Sequence, residues 1–524
     1  MTPRAAAEIG AGLEPARAPR ALRLGERVHV VGAGGAAGAA AALHAHAAGA
    51  SVSGCDAGGP SPYTPPLVDA GIPLAWRHDP AHVRDARGPL VDRLAVTKAL
   101  TAVAPDHPEL TAARAARVPA TSLQQLIADA AATRGQRLIG LAGTHGKSTT
   151  TGWVVHLLAE AGLDPSAFVG ALLPARLAGG SRPSTVRLGR GAHFVVEADE
   201  YAGNFDPYRP AIAGLTNVDW DHPDVFADRA EVAAAFTAWI RQLDGGGERP
   251  VLVANAGDAG VREVLDALAG WPGRLVLVGV VGDGEDPVAW AATLRDARAT
   301  AAGPAATLVA RRGPAGEGSL EIVGLGERAR SARVALPGRH NAENAIVAAG
   351  VALAAGATPD AIVAALGTYA GVERRLELKG EVGGVVVLDD YGHHPTAIAA
   401  TFAAVRERYP GRRLWAVYEP LTYHRTAALL GTFAAVLEDA DRVVVARIHA
   451  GRDPDTTIVS AEALAAAVAE RGRTPAWAPG TVEETADWLV DRVEPGDVVL
   501  VMGGGRSYVI AERLVRLLAG RGAG

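Results

Sequence analysis

The sequence predicts an α/β chain in three domains, and three observations predict it. Apolar strands run through glycine-rich or acidic turns into alanine-rich helices, beginning near Arg27, Leu138 and Val385. Polar residues gather just after those strands, where a mostly parallel sheet presents its ligands. A chain of 524 residues is also too long for one core, at roughly 150 residues per domain.

Composition narrows the function classes. With 49% hydrophobic and 21% charged residues the chain is globular. Its 51 Lys plus Arg against 57 Asp plus Glu give a net charge of −6, so it advertises no basic surface for nucleic acid. A small nucleotide held locally is the expected polyanion. The single cysteine, Cys55, excludes an internal disulfide and a multi-cysteine metal site. Residues 1–22 lack the apolar core of a signal peptide, and no run approaches the ~18 apolar residues of a membrane span. The expectation is a cytoplasmic enzyme without membrane insertion.

Taken in order, Arg27–Val31 is a short apolar strand followed by Gly32-Ala33-Gly34-Gly35-Ala36-Ala37, of G-x-G-x-x-[GA] shape, and an alanine-rich helix. A second strand ends at Cys55 and Asp56, where an acidic residue would meet a ribose hydroxyl. A tight β-α turn without a ligand is the plain alternative. Residues 102–110 read as a strand end and a loop over the sheet's carboxyl edge.

The next strand opens into Gly143-Thr144-His145-Gly146-Lys147-Ser148-Thr149, a shortened phosphate-binding loop with Leu141 where the strict pattern has glycine. Gly143 and Gly146 permit a turn whose N–H groups face a polyphosphate, and the following helix adds its dipole. Lys147 would meet the β- and γ-phosphates and Ser148 would place a hydroxyl on Mg²⁺. Lys147 is one of only three lysines, with Lys98 and Lys379, in a chain that otherwise uses arginine. His193–Glu197 is a buried strand running into Ala198, Asp199 and Glu200, and Glu197 with Asp199 shares a face of an extended chain. Carboxylates there suit a second Mg²⁺ contact; a solvated acidic turn is the alternative. Asp221 and His222 follow another strand end, and His222 reads either as a metal ligand or as a cap. Residues 256–327 show no clear site. Asn341 and Asn344 stand one helical turn apart and could pair with adenine or simply cap the helix.

The last third repeats the alternation. A strand ends in Asp389-Asp390-Tyr391-Gly392-His393-His394-Pro395, another in Glu419-Pro420-Leu421 before Arg425, and a third in Gly503-Gly504-Gly505-Arg506-Ser507. The expected layout is a disordered tail over 1–22, a Rossmann-like domain over 23–135, a central P-loop ATPase-type domain with a mostly parallel sheet over 136–375 and a C-terminal Rossmann-like domain over 376–524.

Four of these stretches, at 143–148, 197–200, 337–344 and 389–395, occur in an order that resembles the Mur ligases, the ATP-dependent amide-forming enzymes of peptidoglycan precursor synthesis. The resemblance covers residues 27–515 and is weakest over 256–327. It implies that Gly143 to Thr149 hold ATP, with Lys147 and Ser148 on phosphate and Mg²⁺, and that Glu197 and His222 ligate metal. Asn341 and Asn344 would contact adenine, with Arg375 and Asp390 reaching the nucleotide from the third domain. Gly32, Gly34, Gly35, Asp56 and Tyr391 would bind a UDP-sugar, and the catalytic set would be Lys147, Glu197, His222, His393 and Arg425. Arg425 would face the incoming amino-acid carboxylate.

Many family members use a carbamylated lysine after the metal histidine, whereas no lysine lies between Lys147 and Lys379 here. That fits the branch joining L-alanine to UDP-N-acetylmuramate, as a monomer or homodimer. One departure concerns the acceptor, Glu419-Pro420-Leu421 standing where that branch reads Gln-Pro-His, and the stretch Gly503 to Ser507 also departs from its Gly-Ala-Gly ending. Tyr201 also occurs in the ligase that reattaches recycled L-Ala-γ-D-Glu-diaminopimelate tripeptide. The alternatives are that recycling ligase and a non-catalytic sensor of UDP-muramoyl precursors.

Overall fold

The computed structural model describes residues 3–521 except 283, 298, 301, 302, 315, 452 and 454. Its α/β architecture rests on three principal sheets. In the first, β1 (Arg27–Val31), β2 (Ser51–Cys55), β3 (Leu74–Ala75), β4 (Arg93–Val96) and β5 (Ala120–Ser122) pair in parallel in the order β3-β2-β1-β4-β5. The crossover after β1 is α1 (Ala36–Ala47), whose Ala39, Ala40, Ala41, Ala42 and Ala45 are fully buried. Side chains that small let a helix lie close to a sheet. After β5, α2 (Leu123–Thr133) starts at a true cap, Ser122 Oγ accepting the Gln125 N–H at 3.1 Å.

The second sheet holds ten strands: β6 (Arg137–Ala142), β7 (Ser166–Leu173), β8 (Ser184–Arg187), β9 (His193–Glu197), β10 (Ile212–Leu215), β11 (Val251–Asn255), β12 (Arg274–Val281), β13 (Ala306–Arg312), β14 (Ser319–Val323) and β15 (Arg330–Arg333). Their order is β8-β7-β9-β6-β10-β11-β12-β13-β14-β15, parallel from β7 to β13 and antiparallel at both edges. The stretch 256–327, mute in the sequence, supplies β12 to β14 and so extends the central sheet. Two helices flank the site on this sheet, α3 (Lys147–Glu160) and α4 (Arg339–Ala354).

One apolar core joins the first two sheets. It runs from Val28, Leu43 and Leu126 to Phe168, Val186, Phe194 and Leu252. His44 of α1 reaches into the central sheet, its Nε2 at 3.0 Å from the Ala167 carbonyl and its ring 4.5 Å from that of Phe194, and burial drives its pKa down to about 3. This imidazole is neutral.

The third sheet, β16 (Glu377–Val382), β17 (Val385–Asp390), β18 (Leu414–Glu419), β19 (Arg442–Ala446), β20 (Ala476–Gly480) and β21 (Val498–Gly503), runs in the order β16-β17-β21-β18-β19-β20 and is parallel except for the β16–β17 hairpin. It has its own core, including Val387, Val417, Val444, Val499 and Leu514.

The chain therefore divides into two compact units: one runs up to Trp220 and adds Val225–Leu336 and Asn341–Val372, and the other is Asp221–Asp224, Pro337–His340 and Glu373 onward. Two expectations change. Residues 3–22 are not a disordered tail, because Arg17 pairs with the buried Asp129 at 2.6 Å and Thr101 Oγ1 donates to the Ile9 carbonyl at 2.5 Å. Residues 102–110 are not a strand end, since Pro108 begins a helix, Pro108–Ala116, whose Glu109 is buried. Among the described residues no helix is long and apolar enough to cross a membrane.

Candidate active site

Strand β6 delivers Gly143 to the carboxyl edge of the central sheet. Gly143 has φ +141°, and a Cβ there would stand 2.1 Å from Thr216 Oγ1, so glycine is required. The loop is braced by the end of β10: His145 N–H donates to Asn217 Oδ1 at 2.8 Å, Thr144 N–H to the Asn217 carbonyl at 3.1 Å and Thr216 Oγ1 to the His145 carbonyl at 2.8 Å. Gly146 begins α3 with no side-chain cap, which leaves the first-turn N–H groups and the helix dipole to serve an anion.

Lys147 lies over this loop. Its Nζ donates to the Gly143 carbonyl at 2.7 Å and to Glu200 Oε2 at 2.8 Å, with Asp199 Oδ1 at 3.8 Å. Burial opposes its charge, but Glu200 and Asp199 outweigh burial and raise its pKa. Burial in turn lifts Glu200 to about 7, against the pull of Lys147. At the next residue, Ser148 Oγ donates to Glu197 Oε1 at 3.1 Å, while Glu197 Oε2 accepts the Gly170 N–H at 2.7 Å. A hydroxyl beside a fixed carboxylate is the hard oxygen set that Mg²⁺ prefers. Thr149 is buried, and its carbonyl accepts the Tyr369 hydroxyl at 3.1 Å. Asn344 lies against the loop, because a Cβ at Gly146 would stand 2.5 Å from its Oδ1; Asn341 sits 3.5 Å from Asn344 Nδ2.

In the first sheet, the Gly34 N–H donates to Asp56 Oδ2 at 2.9 Å and Gly58 N–H to Asp56 Oδ1 at 2.8 Å. Asp56, expected on a ribose, has both oxygens engaged in bracing the turn. Gly32 has φ +88°, and Gly35 opens α1 without a side-chain cap.

The second unit gathers the remaining candidates. Arg425 is buried, and its Nε donates to Asp221 Oδ1 at 2.7 Å, with Nη2 at 3.4 Å from His222 Nδ1. This guanidinium, expected to face an incoming carboxylate, already holds one on its own chain. Although burial pushes the other way, Arg425 keeps Asp221 well below the usual carboxylate range. His222 itself adopts φ +56°, a left-handed turn that a non-glycine residue holds only when its surroundings enforce it. His393 has Nδ1 2.9 Å from the Tyr391 carbonyl, and burial with Arg425 holds it well below the usual imidazole range. The Tyr391 ring lies 5.1 Å from the Arg374 guanidinium carbon and 5.0 Å from that of Arg375. Asp390, expected to reach a nucleotide, instead accepts Leu376 N–H at 2.8 Å and Gly392 N–H at 2.7 Å.

Leu421 and Gly504, where the chain departs from the resembled branch, meet in space. A Cβ at Gly504 would stand 2.5 Å from Leu421 Cδ2 and 3.5 Å from Tyr391 Cζ, so the bulk at 421 is accommodated by the missing methyl at 504. Glu419 is buried, its Oε2 without a hydrogen-bond partner, and burial lifts it to about 7 against the N–H groups of Ser507 and Arg506. A carboxyl poised that high carries its proton about half the time near pH 7. Sequence reasoning did not single out Glu200 as the partner of Lys147 or Asn217 as the loop's brace. The only signal was their position in acidic and polar runs at strand ends.

Three family models match in succession: the Mur ligase family catalytic domain over residues 27–134, the Mur ligase middle domain over 141–352 and the Mur ligase glutamate ligase domain over 374–505. A UDP-N-acetylmuramate–L-alanine ligase of Frankia casuarinae is 34% identical over 95% of this chain and 99% of its own length. One of Kineococcus radiotolerans is 37% identical over 95% and 97%. The crystal structure of a UDP-N-acetylmuramate-alanine ligase from Thermotoga maritima superposes with a TM-score of 0.72 at 23% identity, covering 94% of this chain and 99% of that one. With a phosphate loop braced from the neighbouring strand and full-length relatives at this identity, the chain belongs to the Mur ligase family.

Proposed function

We propose that the chain is an ATP-dependent ligase that joins L-alanine to the lactyl carboxylate of UDP-N-acetylmuramate, a step of peptidoglycan precursor synthesis carried out in the cytoplasm. The observation that carries this reading is the braced loop with Lys147 held over it by Glu200, beside the Ser148–Glu197 pair. The names of the Frankia and Kineococcus relatives, matched over nearly their whole length, supply the substrates.

A carboxylate is too poor an electrophile to form an amide. Its oxygen therefore attacks the γ-phosphorus of ATP, the bond to the ADP oxygen breaks, and an acyl phosphate results. Lys147 neutralises charge on the transferring phosphoryl group, and the α3 N-terminus receives the phosphates. Ser148 and Glu197 would hold Mg²⁺, which when bound supplies further neutralisation of phosphate charge; His222 is the proposed metal ligand of the second unit. The L-alanine amine then attacks the acyl carbon, phosphate leaves with the C–O bonding pair, and the nitrogen gives up a proton. His393, kept neutral by burial, is proposed to accept a hydrogen bond from the attacking amine, whose proton passes on to water. Arg425 acts through Asp221, fixing the turn that presents His222. Asn341 and Asn344 are assigned to adenine, and the Asp56-braced turn of Gly32, Gly34 and Gly35 to the UDP diphosphate. Arg375 and Asp390 are assigned to the nucleotide and Tyr391 to the UDP-sugar.

The test is ATP-dependent phosphate release with UDP-N-acetylmuramate and separate acceptors. Release with L-alanine is expected. Release only with L-Ala-γ-D-Glu-diaminopimelate tripeptide would make the chain a recycling ligase, and none with any acceptor would make it a sensor. Lys147→Ala should abolish release while UDP-N-acetylmuramate binding, read by calorimetry, stays largely intact. Unchanged turnover would remove Lys147 from the phosphate site.

A further inference from the structure

Glu109, fully buried on the helix Pro108–Ala116, is surrounded by side chains that the ligase chemistry does not use. Its Oε1 lies 2.6 Å from His82 Nδ1, 3.6 Å from His29 Nε2 and 3.2 Å from Cys55 Sγ. Its Oε2 lies 3.4 Å from His78 Nδ1 and 3.7 Å from His107 Nδ1. Four imidazoles and the chain's one thiol thus face a single carboxylate. We propose that His29, Cys55, His82 and Glu109 form a zinc site in the first sheet.

The donor set is two nitrogens, a sulfur and an oxygen, the mixture that tetrahedral Zn²⁺ takes and that Mg²⁺ and Ca²⁺ do not. All four ligand atoms lie within 4.8 Å of one another. Tetrahedral bonds of about 2.0–2.3 Å put neighbouring ligands about 3.3–3.8 Å apart. The observed Cys55–Glu109 and His29–Glu109 separations, 3.2 and 3.6 Å, are close to that; the His82–Glu109 pair, a direct hydrogen bond at 2.6 Å, must open by about 1 Å to admit the metal.

Three further features point to a ligand. His29 Nε2 is buried without a hydrogen-bond partner, while its Nδ1 lies 2.8 Å from Ser53 Oγ, an arrangement that fixes the ring and aims the free nitrogen inward. His78 Nδ1 and His107 Nδ1 stand 3.4 and 3.7 Å from Glu109 Oε2, a second layer of imidazole around the carboxylate. Charge also balances, for loss of the Cys55 proton leaves a thiolate and a carboxylate against one divalent cation. Burial holds that proton on the free thiol, so a metal must displace it. The four ligands come from β1, the end of β2, the turn Pro80–His82 and the helix Pro108–Ala116, and the Cys55 carbonyl accepts the Gly32 and Ala33 N–H groups. The metal would pin these segments beneath the glycine turn.

Cobalt substitution tests this in the full-length protein. After chelator treatment and loading with Co²⁺, a thiolate-to-cobalt charge-transfer band can arise only here, because Cys55 is the sole cysteine. One equivalent of Co²⁺ should produce the band, and Zn²⁺ should bleach it. Cys55→Ser should abolish it, His82→Ala should weaken the metal affinity tenfold or more, and Lys147→Ala should leave the band intact. No band in the parent, or a metal affinity unchanged by His82→Ala, overturns the assignment. X-ray absorption of the zinc-loaded parent protects against a variant that fails to fold. One sulfur at about 2.3 Å supports the site, and an all-oxygen or all-nitrogen shell overturns it.

Discussion

Glu419 is a buried carboxyl lifted to about 7, and the lift has a stability consequence with a definite sign. The folded chain holds this proton more tightly than the unfolded chain does. Its contribution is therefore whole below about 4.5 and is lost as pH rises through about 7. Glu419→Gln removes that loss, so the variant should be more stable than the parent by up to ~3 kcal/mol at about pH 8, with the difference shrinking toward about pH 5. Urea unfolding at the two pH values decides it, since an equal difference at both would show that Glu419 does not titrate this way. Asp221 carries the opposite sign: Arg425 depresses it, so its stabilisation is present at neutral pH and lost only in acid. Asp221→Asn leaves a buried guanidinium unpaired and should cost about 3–5 kcal/mol at neutral pH. At this scale the sequence showed Lys147, Ser148 and Glu197, because spacing after a strand fixes where they emerge. It did not show that Glu200 rather than Asp199 bonds Lys147, or that Asp56, Asp390 and Arg425 bond their own chain, since those pairings depend on burial and long-range packing.

At the scale of elements, strand ends and the turns that follow them carry the chemistry, and their fit is mutual. Gly504 ends the β21 turn and Leu421 the β18 turn, and the two departures compensate sterically. Gly504→Ala alone should cost roughly 1–3 kcal/mol by overpacking against Leu421. Leu421→Ala in the same chain should recover about 1 kcal/mol or more of that loss, a coupling that a double-mutant cycle measures by unfolding. Additive effects would show that the contact is not strained. The alternation of strand, turn and helix made most of these elements legible, down to the glycine turn before α1. Strands β12 to β14 escaped because their residues are as rich in glycine, alanine and arginine as the loops around them. The helix holding Glu109 escaped because a Pro-Glu start after His107 reads equally well as a loop.

For the whole molecule, the three-sheet architecture was visible in the repeated alternation, whereas the common core of the first two sheets was not. That core depends on which face of α1 is covered, and a helix made almost wholly of alanine has no polar face to reveal it. The two compact units, each with its own core, should unfold in two calorimetric transitions. A non-hydrolysable ATP analogue at a hundred times its Kd should stabilise the first unit by about 2.7 kcal/mol, moving the transition that Lys147→Ala desensitises. A single transition, or one unmoved by the analogue, would contradict this division. The packing of α1 also bears on how the family can be recombined. His44 and the alanines around it are fitted to β7 and β9, so grafting the first sheet of another ligase at the boundary near residue 135 would carry a foreign helix onto this central sheet. Such chimaeras should need α1 kept with its native host strands, which makes the helix, rather than the linker, the natural seam for exchanging the first sheet.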